Sequence, residues 1–94
     1  MQISQKCVTF DEMASLELLA QQSVEAGDAV FDCSLVEKAD SALLALILKW
    51  LEAAHNKQLE PKIINLPEGM WSLAKLYGVR SLIRPYCQKR EQVD

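Results

Sequence analysis

The sequence of 94 residues predicts an α/β fold, and three observations carry that reading. Apolar runs at residues 29–34 and 62–65 are too short for helices and are bounded by turn residues, as short buried strands are. Longer segments between and after them repeat their apolar residues at three-and-four spacing, the period of one helix face. The resulting order, strand and helix in alternation, joins successive strands by helical crossovers. The expectation is a single domain with a small mixed sheet and helices packed against it.

Ile3 to Thr9 reads as a weak strand, apolar at Ile3, Cys7 and Val8 but without clean alternation. Asp11 offers a helix N-cap, and Glu12 and Glu17 set negative charge near the positive end of the helix dipole. Met13, Leu16, Leu19, Ala20 and Val24 then line one face of a helix over residues 11–26, which Gly27-Asp28 stops. Ala29 to Ser34 is a short buried strand, and Val36, Glu37 and Lys38 follow in a connector. Asp40 or Ser41 caps a second helix running to about His55, ended by Asn56-Lys57-Gln58. Lys62 to Asn65 is a strand between Pro61 and Pro67. Pro67 suits the first turn of a third helix, where a missing N–H costs nothing. Met70, Leu73, Ala74 and Tyr77 line that helix until Gly78, and residues 79–87 hold one more short element.

Composition narrows the function classes. A hydrophobic fraction of 50% is too high for disorder and normal for one globular domain. Ten Lys and Arg against thirteen Asp and Glu leave a net charge of −3. That balance argues against nucleic-acid binding, which needs clustered cations on one face. The one concentrated basic stretch, Gln88-Lys89-Arg90, shares residues 88–94 with Glu91 and Asp94, so the domain is expected over 1–87 with a solvated polar tail after it. The longest apolar run, Ala42 to Leu48, is closed by Lys49, far short of the ~20 residues a membrane span requires. Met1 to Gln5 turns polar at once, unlike a secretory signal. Cys7, Cys33 and Cys87 are odd in number and widely spaced, which reads as reduced thiols in a cytoplasmic protein.

The middle helix carries more apolar surface than one face needs. Stepping about 100° per residue, Leu44, Ile47, Leu48 and Leu51 fall in one stripe about 100° wide, enough to cover a sheet. Leu43, Leu46 and Trp50 lie about 100–160° away on one side. Two explanations compete: neighbouring helices bury this second flank, or it is an exposed patch that docks a partner, as contiguous apolar patches bearing a Trp do. The same flank could also pair two copies in a two-fold homodimer.

No catalytic constellation stands out. His55 ends a helix beside Asn56 and Lys57, without the convergent groups that metal ligation or acid–base chemistry demands. There is no Cys/His metal spacing, no glycine-rich phosphate loop, and no serine with a local histidine. Asp32 and Asp40 are eight residues apart across a strand-to-helix connection and read as a loop and a cap residue. Neither a metal nor a cofactor is expected.

The run from Phe31 to Leu46 resembles the signature of STAS domains: a buried strand ending in Asp-x-Ser (Asp32-Cys33-Ser34), a short turn, then Asp-Ser (Asp40-Ser41) opening a helix with small and leucine-rich positions. Trp71 to Val79 is similar to the last helix of that family, and the strand at Lys62 to Asn65 lies between the two segments as it should. Within the family, the similarity is greatest to the small STAS subunit of the Mla phospholipid-transport ABC complex. The resemblance covers residues 29–79. It departs at Leu43, where members usually have glycine, and at the N-terminus, where they usually begin with a two-stranded hairpin.

The resemblance implies a binding and regulatory module with no catalysis of its own. Transporter-type members dock on the cytoplasmic ATPase subunit of a membrane complex that includes a permease, and support its assembly and activity in keeping outer-membrane lipids asymmetric. Such a subunit is cytoplasmic, peripheral to the inner membrane through its partner, and does not insert into the bilayer. Their hydroxyl residue at the start of the middle helix lies at or beside the contact, which in this sequence points to Asp40 and Ser41. With the second flank of the same helix, the expected partner site is Asp40, Ser41, Leu43, Leu46 and Trp50. A second branch, the anti-sigma-factor antagonists, switches partners by phosphorylation of the serine that matches Ser41. A phosphate there would add about −1.5 to −2 charges at a helix N-terminus and beside Asp40.

Overall fold

In a computed structural model, residues 1–3, 7–9, 11 and 13–87 are described. The expectations for Glu12 and for the tail 88–94 fall outside these residues. The elements in chain order are β1 (Cys7–Val8), α1 (Met13–Glu25), β2 (Val30–Asp32), β3 (Lys38–Ala39), α2 (Ser41–Asn56), β4 (Lys62–Ile64), α3 (Glu68–Leu76) and α4 (Arg80–Ile83). A single 3-10 turn, Arg84–Tyr86, follows α4.

The α/β class holds. All strand pairings among the described residues are parallel, because each is reached through a helical crossover rather than a hairpin. Val30, Phe31 and Asp32 of β2 face Lys62, Ile63 and Ile64 of β4. Single bridges extend this pair on both sides, Gln2 to Asp32 and Ile63 to Cys87. The N-terminal residues, β2, β4 and Cys87 therefore lie side by side in that order. β1 pairs separately with β3, Cys7 facing Lys38 and Val8 facing Ala39. Of the one N-terminal strand expected over Ile3 to Thr9, Ile3 donates its N–H to the Asp32 carbonyl, and Cys7 and Val8 pair with β3. β3 itself was legible only as a connector, since two residues carry no period.

Burial alternates along β2 and β4. Phe31 and Ile63 are fully buried, while Val30 and Lys62 stand exposed and Asp32 and Ile64 are half-buried. Parallel sheets are usually covered on both faces and read as continuous apolar runs. Here the covered face holds the core and the other is open, so the strand at 29–34 is buried on one side only.

Leu16, Ala20 and Val24 bury the inner face of α1, and Met13 is half-buried. Leu19, expected in that stripe, is exposed, because a stripe of three apolar positions already covers the contact with α2. In α3, Met70 and Ala74 are buried and Leu73 half-buried, but Tyr77 lies beyond the last turn and projects outward. Pro67 is the N-cap of α3 rather than its first helical residue, with an extended ψ of 142°.

The three long helices end in one way. In each, two N–H groups past the helix reach back to the carbonyls of its last turn: Gly27 and Asp28 after α1, Gln58 and Leu59 after α2, Gly78 and Val79 after α3. This closure needs a left-handed residue, which costs glycine nothing. Gly27 and Gly78 supply it at φ 85° and 74°, and at the end of α2 Gln58 takes it at φ 61°.

Candidate functional site

Asp40 and Ser41 stand where β3 runs into α2. The Asp40 backbone is extended, and its Oδ1 accepts from the Ala42 N–H at 2.8 Å, so Asp40 rather than Ser41 caps the helix. The Asp40 N–H donates to the Val8 carbonyl at 3.4 Å. β1 thereby fixes this corner through both its pairing with β3 and a bond to the cap residue. Asp40 is exposed and Ser41 half-buried. Replacing a capping aspartate by alanine costs about 1 kcal/mol. Asp40→Ala is therefore expected to lower the urea midpoint by that equivalent with an unchanged denaturant slope. An unaltered midpoint would show that the cap is not formed.

The other three expected partner residues are elsewhere. Leu43, Leu46 and Trp50 are all 0% exposed, so the expectation of an exposed apolar patch on α2 is overturned. The physical reason is the position of α2, which lies between α1 and α3 and packs on both. Trp50 faces the sheet, its ring meeting Phe31 of β2 edge-on at 5.2 Å. Leu46 and Trp50 also line the shallow groove where α2 meets Glu17, Ala20 and Gln21 of α1. A helix enclosed from several sides needs an apolar arc near 200°, and that arc is core. Trp50 Nε1 is buried with no acceptor among the described residues. The Lys49–Glu17 ion pair, 3.3 Å long, bridges α1 and α2 at the rim of the groove.

A second polar group gathers at the carboxyl end of β2. Asp32 Oδ1 accepts from the Ser34 N–H at 2.9 Å and from Asn65 Nδ2 at 3.2 Å. Gln2 Nε2 lies 3.4 Å from Asp32 Oδ2 and donates to Ser34 Oγ at 3.2 Å. Partial burial alone would raise the Asp32 carboxyl, yet the Ser34 N–H, the Asn65 amide and the Ser34 hydroxyl outweigh it and hold it below the usual aspartate range. Asp32 thus acts as a ligand for the loop, tying β2, the Ser34 turn and the end of β4 together. Leu35, which follows that turn, is exposed; a lone leucine in a polar connector was its only signal in the sequence.

The thiols divide by environment. Burial pushes Cys33 up to about 12, the Asp32 charge adding to it, and burial pushes Cys87 up to about 11. Both are protonated at neutral pH and poor nucleophiles. Cys7 is exposed. His55 is exposed and meets Tyr86 edge-on at 5.3 Å. Among the described residues no three His, Cys, Asp or Glu side chains converge as a metal site would require, and no helix is long and apolar enough to cross a membrane.

A family model described as "Mlab, STAS domain" matches residues 8–84. No curated protein and no solved structure matches the chain.

Proposed function

The chain belongs to the STAS domain family, and from that premise we propose that it is a non-catalytic accessory subunit that binds the cytoplasmic ATPase of a phospholipid-transporting ABC system. The observation that carries this reading is the match of residues 8–84 to the Mlab-type model, which begins at Val8 of β1 and includes the whole of α2. The partner contact is centred on Asp40 and Ser41. Ser41 is half-buried at the first position of α2 and is relieved of capping by Asp40, so its hydroxyl is spared for a partner. The subunit is held at the inner membrane through the ATPase and its permease.

The test is capture of the tagged protein from detergent-solubilised native cells, with identification of what accompanies it. An ABC ATPase together with a permease is the expected result. Recovery of a kinase-like anti-sigma factor instead would overturn the transporter reading and favour a switch at Ser41. The contact itself is tested with Ser41→Glu. An acidic residue at the first turn suits the helix dipole, so melting is expected to stay close to wild type while ATPase recovery falls at least tenfold. Undiminished recovery by this variant would remove Ser41 from the interface.

A further inference from the structure

Charge is divided along this chain more sharply than its net value of −3 suggests. Residues 7–37 contain seven carboxylates and no Lys or Arg, whereas residues 69–87 contain Lys75, Arg80 and Arg84 and no carboxylate. The fold sets α1 apart from the segment that carries these cations. With the N-terminal residues, β2, β4 and Cys87 side by side, α1 joins the first two and α3 with α4 joins the last two. α1 and α3 each pack on α2, so they form opposite flanks of the helix layer.

Each flank also carries exposed apolar side chains. On α1, Leu18 is 56% and Leu19 48% exposed. Leu18 and Glu25 are seven residues apart, two helical turns, and both are exposed on the same face. Around the Gly78 turn, Leu76 is 75%, Tyr77 57% and Leu82 56% exposed, with Arg80 and Arg84 exposed beside them. Apolar side chains beside charge are the usual make-up of an interaction surface, and here the exposed charge on the face of Leu18 is Glu25, whereas Arg80 and Arg84 stand beside Leu76, Tyr77 and Leu82.

We infer that this protein associates with a second copy of itself, the Leu76/Tyr77/Leu82 flank of one copy docking on the Leu18/Leu19 flank of the next. Because the two surfaces lie on opposite sides of the molecule, the contact is head-to-tail, and a pair leaves one flank open at each end. The net charge of −3 on each copy opposes approach only at long range, where the ~8–10 Å Debye length screens it. The complementary charges meet well inside that distance. This association does not depend on the transporter reading, since neither flank includes Asp40 or Ser41.

Analytical ultracentrifugation of the full chain from about 10 μM to about 1 mM tests it, a range suited to a small transient interface. The weight-average mass is expected to rise past that of a dimer at low salt. It should fall back toward the monomer near 1 M salt, where the Debye length shrinks to ~3 Å. Two double variants, Arg80→Glu with Arg84→Glu and Leu18→Lys with Glu25→Lys, alter only exposed side chains and should each remain monomeric with unchanged melting. Mixed in equal amounts they retain one intact flank each and are expected to restore association. Wild-type protein that stays monomeric throughout, variants that associate as wild type does, or a mixture that stays monomeric would each overturn the inference. Ser41→Glu should self-associate normally, which keeps this result separate from the ATPase contact.

Discussion

Trp50→Ala is expected to destabilise the isolated domain by about 3–5 kcal/mol, as removal of a fully buried tryptophan does. Domains have total stabilities of about 5–15 kcal/mol, so the variant should be partly unfolded at 25 °C and lose its sharp urea transition. The loss has two sources, the cavity left between α1, α2 and the sheet and the edge-on contact with Phe31 at 5.2 Å. Trp50→Phe separates them. Phenylalanine keeps the ring against Phe31 and removes the buried Nε1–H that lacks an acceptor, so it should recover most of the lost stability. A Trp50→Ala variant that melts like wild type would place this side chain outside the core and return it to the partner surface.

Leu43→Gly is expected to have the next largest effect. The side chain is 0% exposed, and truncating a buried leucine to alanine costs about 2–5 kcal/mol; glycine adds up to ~1 kcal/mol for its backbone freedom in a helix. Urea unfolding of Leu43→Ala and Leu43→Gly should show the first term in both and the second in one alone. Resembling domains usually have glycine here, so the result bears on how this chain differs from them. If Leu43→Gly were neutral, the space beside α2 could close without the leucine, and the side chain would be free to have been selected for something other than packing.

The sequence made the helices and the α/β class legible because their signals are local. Asp40 announces the start of α2, Gly78 the end of α3, and the apolar period of Leu16, Ala20 and Val24 the buried face of α1. It did not reveal which side of α2 meets which neighbour. A wheel shows the width of an apolar arc but not what lies opposite, so Leu43, Leu46 and Trp50 read equally well as patch or as core. The Asp40–Ser41 corner was found through its motif. The bond from Asp40 to Val8 that fixes the corner joins residues far apart in the chain and leaves no local trace.

The strand register has a kinetic consequence. Gln2 pairs with Asp32, Cys7 with Lys38, Val30 with Lys62 and Ile63 with Cys87, so among the described residues no strand partner is near its mate in sequence. None of these ladders is a hairpin, and each must close a long loop before its bonds form. Helical segments form on a far shorter timescale than such loops are rewarded. Until β4 docks, β2 presents bare edges, and a chain emerging from the ribosome has no complete sheet until Cys87 is out. Variants that slow the docking of α2, such as Leu43→Gly, should therefore lengthen the time during which those edges can pair with other chains. Their first visible defect is expected to be aggregation during refolding at high concentration rather than a lower melting temperature alone.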